Sequence, residues 1–181
     1  TLLNSLMNQK VSITSPLPQT TRKNIEAVYR DSRGEIVFVD TPGLMINIQD
    51  LVGKRVNLEA TKSVGKADVV VMIVDISREK NEEENKVIGL VRKSKAKKVL
   101  VYNKIDKAIG SKDHTAEYNY LEEEFDKTIG ISALQGKHVA GLVKIIFDLL
   151  PKKRKPAEAK TGAGEGKKEL AIKMGSKEYI E

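Results

Sequence analysis

In Ala67-Asp68-Val69-Val70-Val71-Met72-Ile73-Val74-Asp75, Val69 to Val74 is an unbroken apolar run, rich in β-branched residues and closed by the carboxylate of Asp75. A strand with one wet face alternates apolar and polar side chains. This run does not alternate, so it reads as a strand buried on both faces, as in a parallel sheet covered by helices. Downstream, Asn81 to Ser94 is a charged helical stretch that turns Val87, Ile88 and Val91 inward. Lys98 to Tyr102 reads as a strand, Glu117 to Phe125 as a helix and Thr128 to Ile131 as a short strand. Val139, Leu142, Val143, Ile146 and Leu149 then share one helical face, and Pro151 stops that helix. Upstream, Leu51 to Lys66 is a polar helix. Ile25 to Arg30 and Glu35 to Val39 read as strands joined by the turn Asp31-Ser32-Arg33-Gly34. Val11 to Arg22 is loop-like, broken by Pro16 and Pro18, and Thr1 to Asn8 reads as a helix with Leu2, Leu3 and Leu6 on one face. Strands alternating with helices predict an α/β domain over residues 1–150, with a mostly parallel sheet flanked by helices.

Composition narrows the classes. Of 181 residues, 40% are hydrophobic, enough for a core, so a wholly disordered chain is excluded. Lys and Arg number 32 against 25 acids, a net charge of +7 that suits a polyanionic partner such as nucleic acid or phosphate. There is no cysteine, which removes disulfides, thiolate metal sites and thiol nucleophiles. No apolar run approaches the roughly 20 residues of a transmembrane helix. The chain opens at Thr1 with neither a signal peptide nor an initiator Met, and reads as a fragment. These features point to a cytoplasmic setting and leave an organellar or nuclear one open.

Ligands of open α/β sheets bind beyond the carboxyl ends of the strands, and three polar motifs fall there. Asp40-Thr41-Pro42-Gly43 comes after the strand ending at Val39. A carboxylate at a strand end can hold Mg²⁺ through water, and a glycine lets a backbone N–H approach a phosphate. By itself the motif is equally an ordinary turn. Asn103-Lys104-Ile105-Asp106 comes after the strand ending at Tyr102. Its Asp can accept two hydrogen bonds from the N1–H and exocyclic amine of guanine, a donor pair that adenine lacks. The Lys stem can lie along a purine face, and the Asn amide can tie loops together. Ser132-Ala133-Leu134 comes after the strand ending at Ile131, where the Ala133 N–H could donate to guanine O6. Each motif is weak alone; their order and placement give the argument its weight.

Together these motifs resemble those of the Era family of GTPases, within the translation-factor class. Thr1-Leu2-Leu3-Asn4 resembles the segment immediately after the Gly-Lys-Ser of the family's phosphate-binding P-loop. Gln9 to Ser15 and Pro18-Gln19-Thr20-Thr21-Arg22 resemble the approach to its first switch and the switch itself. The resemblance covers residues 1–150 and implies a P-loop NTPase-type G domain that binds GTP or GDP with Mg²⁺. It implies that Thr21, in preference to Thr20, ligates Mg²⁺ and that Asp40 holds it through water. It also implies that Gly43 meets the γ-phosphate, that Asn103, Lys104 and Asp106 read guanine, and that Ser132, Ala133 and Leu134 complete the pocket. Leu44 stands where many GTPases carry a water-positioning Gln, which predicts slow turnover. The implied partners are ribosomal RNA and the small ribosomal subunit, with peripheral membrane association and no transmembrane segment.

Two departures qualify the expectation. The P-loop itself is not in this chain, so GTP binding by these residues alone is expected to be weak. Residues 151–181 read as a basic flexible tail. Gly164 to Lys167 and Ile172 to Glu181 resemble a remnant of the RNA-binding KH domain that lies after the family's G domain. Lys152-Lys153-Arg154-Lys155 is read either as a solvated linker, as a contact to RNA phosphate or as a nuclear-import signal. His114 and His138 are expected to be surface residues. Two other functions stay open: a nucleotide-free scaffold protein, and a related bacterial GTPase acting on tRNA or the large subunit.

Overall fold

In the computed structural model, which describes residues 2–7, 25–41, 51–151 and 169–174, helices and strands alternate as the apolar pattern predicts. The order is α1 (Leu2–Met7), β1 (Ile25–Asp31), β2 (Gly34–Thr41), α2 (Leu51–Lys66), β3 (Val69–Asp75), α3 (Glu82–Arg92), β4 (Lys97–Asn103), β5 (Lys127–Gly130), α4 (Val139–Leu149) and β6 (Glu169–Met174). The strands form one sheet in the order β1-β2-β6-β3-β4-β5. Only β1 and β2 pair antiparallel, across the hairpin. Gly34 opens β2 with φ +138, backbone that a side chain would strain. The other pairings among the described strands are parallel.

Every residue of β3 is buried, and alternate side chains feed two cores. Val69, Val71 and Ile73 join Val99, Val101, the apolar face of α1 and Leu142, Val143 and Ile146 of α4 on one face. Val70, Met72 and Val74 join Leu100 and Tyr102, Val64 of α2, and Val87, Ile88 and Val91 of α3 on the other. Helix α3 starts at a reciprocal cap. Asn81 Oδ1 accepts the Glu84 N–H at 3.0 Å, and Glu84 Oε2 accepts the Asn81 N–H at 2.9 Å. Glu84 is wholly buried, yet it also accepts the Tyr118 hydroxyl and pairs with Arg78, each at 3.0 Å. A buried carboxylate is tolerable only with such partners.

Two expectations change. Glu117 to Phe125 is not an α-helix; the segment forms short 3₁₀ turns at Thr115–Glu117 and Asn119–Glu124. Tyr118 and Leu121 are buried there, and their i,i+3 spacing serves a 3₁₀ turn as well as an α-helix. The second change is β6. Ile172 to Met174, expected to belong to a flexible tail with a KH-like remnant, instead lie in a strand between β2 and β3, where Asp40 pairs in register with Ile172 and Val71 with the same residue. Gly164 to Lys167 and Lys152 to Lys155 lie outside the described residues.

Because β6 is an interior strand, Ala171→Pro should delete a ladder N–H and lower stability by at least about 2 kcal/mol. A urea unfolding midpoint equal to that of the unaltered chain would show that the sheet closes without this strand.

Candidate functional site

Parallel pairing brings the carboxyl ends of β2, β6, β3, β4 and β5 to one edge of the sheet. Asp40 and Thr41 belong to the end of β2 and Asn103 is the last residue of β4, so these strands run slightly further than the apolar pattern indicated. Asp75 ends β3 opposite Asn103 in register. Ser132, Ala133 and Leu134 come after β5 on the same edge. Thr20, Thr21, Pro42, Gly43 and Leu44 lie outside the described residues.

The loop after β4 is knitted to the loop after β5. Ile131 donates its N–H to the Tyr102 carbonyl at 2.7 Å, and Ile105 donates to the Ile131 carbonyl at 3.2 Å. Gly130 permits this closeness, since a Cβ there would sit 3.2 Å from Cγ2 of Ile105. Buried Asn103 turns its Oδ1 to accept the Ala133 N–H at 3.1 Å. The Asn amide therefore ties the loops as expected. The same bond engages the Ala133 N–H, the donor that the sequence reading offers to guanine O6. Ser132 is wholly buried, and its hydroxyl accepts the Gln135 N–H at 3.1 Å. Leu134 is 73% exposed at the rim.

Lys104 adopts left-handed backbone, φ +66, and its carbonyl accepts the Lys107 N–H at 2.8 Å in a tight turn. Its ammonium lies 3.0 Å from Asp75 Oδ2. Asp75 escaped the sequence reading as a site residue. The signal was available, because it ends the β-branched run at the edge where the other motifs collect. Asp106 Oδ1 is buried and has no hydrogen-bond partner. Asp40 is 8% exposed, and desolvation pushes its carboxyl up to about 6. Such a carboxylate favours a proton or a cation. Among the described residues no three His, Asp or Glu side chains converge to hold a metal. One carboxylate still fits Mg²⁺, which keeps several waters and takes substrate phosphates as ligands. The histidines have other partners: His114 Nδ1 pairs with Glu117 at 2.7 Å and is only half-buried, and His138 Nδ1 lies 2.8 Å from the Gly130 carbonyl.

One rim of the sheet thus gathers the Asp, Asn-Lys-x-Asp and Ser-Ala motifs, and comparison with known proteins gives the class as GTPase domains. The family model described as 50S ribosome-binding GTPase matches residues 1–104. GTPase Era of Borreliella burgdorferi (strain ZS7) is 42% identical over 110 residues, which is 59% of this chain and 36% of that protein. A variant of Aquifex aeolicus Era bound to GDP and aluminium fluoride superposes with a TM-score of 0.74 at 30% identity, covering 84% of this chain and 53% of that one. Era in complex with MgGDPNP and nucleotides 1506–1542 of 16S ribosomal RNA gives 0.74 at 28% identity, covering 88% and 55%. The chain belongs to the ribosome-binding GTPase family, and within it to the Era GTPases. It spans about half the length, or less, of these relatives. No described helix is long and apolar enough to cross a membrane.

The Asp40 carboxyl carries a pH signature. Its value in the folded chain is raised from 3.8 to about 6, so between those values the folded state holds a proton that the unfolded chain has released. Stability from this group is present below the unfolded value and is lost as pH rises through that window. Asp40→Asn should flatten this slope and stabilise the chain at pH 7 by on the order of 2–3 kcal/mol. Urea titrations at pH 4 and pH 7 that give the same difference between variant and parent would contradict it.

Proposed function

We propose that this domain binds guanine nucleotide beyond the ends of β4 and β5 and, with Mg²⁺, hydrolyses GTP by attack of water on the γ-phosphate. The observation that carries the reading is the Asp106 carboxylate, whose Oδ1 is buried and unpaired. Leaving such an acceptor unsatisfied costs about 1–3 kcal/mol or more. The adjacent N1–H and amine of guanine would satisfy it, and adenine has no such pair. Further support comes from Asn103, which braces the pocket against Ala133, and from Ser132 and Leu134 beside it.

Mg²⁺ would be held by Thr21 directly and by Asp40 through water, and it would supply charge neutralisation between the phosphates. Thr41 and Pro42 would set the turn that presents the Gly43 N–H to the γ-phosphate. With Leu44 where a polar side chain would orient water, turnover is slow and suits a switch. For the whole protein we propose GTP-dependent binding to ribosomal RNA of the small subunit in the cytoplasm, during subunit assembly. Its support is the likeness to Era, one solved form of which carries a 16S RNA segment. The family description names the 50S particle, which favours large-subunit action as the second reading. A nucleotide-free scaffold role predicts no nucleotide binding at all.

In a version of the chain extended upstream of Thr1 by a Gly-x-x-x-x-Gly-Lys-Ser loop, Asp106→Asn should weaken GTP by about tenfold or more and favour xanthosine triphosphate. Calorimetric titration with both nucleotides checks this, and unchanged GTP affinity would sink the assignment. For RNA, Lys152, Lys153, Arg154 and Lys155 are the proposed phosphate contacts. Changing all four to Gln should flatten log K against log salt by up to about four contacts, at roughly 0.7–0.9 each. Parallel salt plots for the two proteins would mean that the run is only a solvated linker.

A further inference from the structure

We propose that Asp75 is a positioning residue of the guanine site, holding the Lys104 ammonium so that the lysine stem lies across the place a purine occupies. The inference rests on the guanine reading above and goes beyond it, because Asp75 lies outside the three motifs that define that reading.

The geometry is a chain of fixed groups. Asp75 is the last residue of β3, 6% exposed, and pairs in register with Asn103, so its side chain starts from a rigid strand end. Both carboxylate oxygens are engaged. Oδ1 accepts the Ser77 N–H at 3.0 Å and the Ser77 hydroxyl at 2.7 Å, which fixes the orientation of the group. Oδ2 is thereby aimed at Lys104 Nζ, 3.0 Å away. Arg78 Nε stands farther off, at 3.6 Å, and its guanidinium is turned to buried Glu84 at 3.0 Å. Asp75 thus has Lys104 as its close cation, while Arg78 has its own carboxylate. Burial would raise the Asp75 carboxyl, but the bonds from Ser77 and Lys104 outweigh it and hold the group ionised, below the usual range.

The lysine gives the pair a purpose. Lys104 sits in left-handed backbone, which a non-glycine residue occupies only at an energetic cost. That conformation starts its side chain from the tight turn between Asn103 and Asp106. The side chain is only 20% exposed, with its charge tied back to β3. A free lysine would have to freeze its four-carbon stem each time a base bound. One already held by a carboxylate has lost that freedom on folding, so base stacking costs less. Asp75 thus acts on the base through Lys104 without touching it.

The test uses the chain as it is, in three forms besides the parent: Asp75→Asn, Lys104→Met and the double variant. Proton–nitrogen correlation of lysine ammonium groups should give a Lys104 signal slowed in solvent exchange in the parent and lost in Asp75→Asn. GDP is then titrated to millimolar concentration, with the Asn103 to Asp106 amides as the reporter. Asp75→Asn and Lys104→Met should each weaken GDP by about five- to tenfold, and the double variant should be no weaker than Lys104→Met alone, since both act through one group. Independent, multiplying losses would overturn the inference, because Asp75 would then act through the fold alone. Equal GDP affinity in parent and Asp75→Asn, or an unchanged Lys104 signal, would overturn it too while leaving the guanine reading intact. GDP that moves no amide of the parent, even in the version extended upstream by the Gly-x-x-x-x-Gly-Lys-Ser loop, overturns the guanine reading, and this inference with it.

Discussion

The main chain of β3 has no water on either face, so each of its N–H and C=O groups must find a strand on one side or the other. Strand β4 meets this demand on one flank and β6 on the other. The helices arise from the same constraint, because a strand buried on both faces needs an apolar layer above and below. Helices α1 and α4 supply one layer, and α2 and α3 the other. Parallel pairing then aligns the carboxyl ends, and the polar residues that could not enter the core collect along one rim. The site is thus a by-product of how the sheet avoids unpaired backbone.

Three aspartates on that rim have different surroundings, and these set their chemistry. Asp75 is satisfied on both oxygens by Ser77 and Lys104, so it serves as a fixed anion. Asp106 keeps one oxygen buried and unpaired, so it is ready for donors from outside the chain. Asp40 is desolvated and pushed towards its protonated form, which leaves it receptive to positive charge. One residue type thereby fills three roles through differences in neighbours alone.

Most of the architecture was legible in the sequence because the core-facing periods are clean. Val69 to Asp75 is short and rich in β-branched residues, which marks a buried strand, and Val139 to Leu149 repeats at helical spacing. The 3₁₀ turns around Tyr118 and Leu121 were not legible, since two apolar residues three apart fit either helix type. Nor was β6. Glu169-Leu170-Ala171-Ile172-Lys173-Met174 is short and flanked by Lys and Gly, and only pairing with strands far away in sequence makes it a strand. Of the site, the Asp and Asn-Lys-x-Asp placements at strand ends could be read from the chain. The Ala133 bond to Asn103 and the Asp75 bond to Lys104 could not, because they join loops from different strands.

The place of β6 has a consequence for how the chain acquires its fold. In register, Val37 meets Glu169 and Val69 meets Leu170, so an inner position of the sheet is taken by the strand made last among those described. During synthesis β2 and β3 leave the ribosome long before their shared neighbour, and each exposes an unpaired edge through that interval. The hairpin of β1 with β2 and the adjoining β3-α3-β4 unit can form early from nearby contacts. Joining the two halves must wait for residues 169–174, a step of high contact order that closes a long loop. The two halves therefore spend their early life as separate pieces with matching open edges, in which pairing with another copy competes with pairing at home.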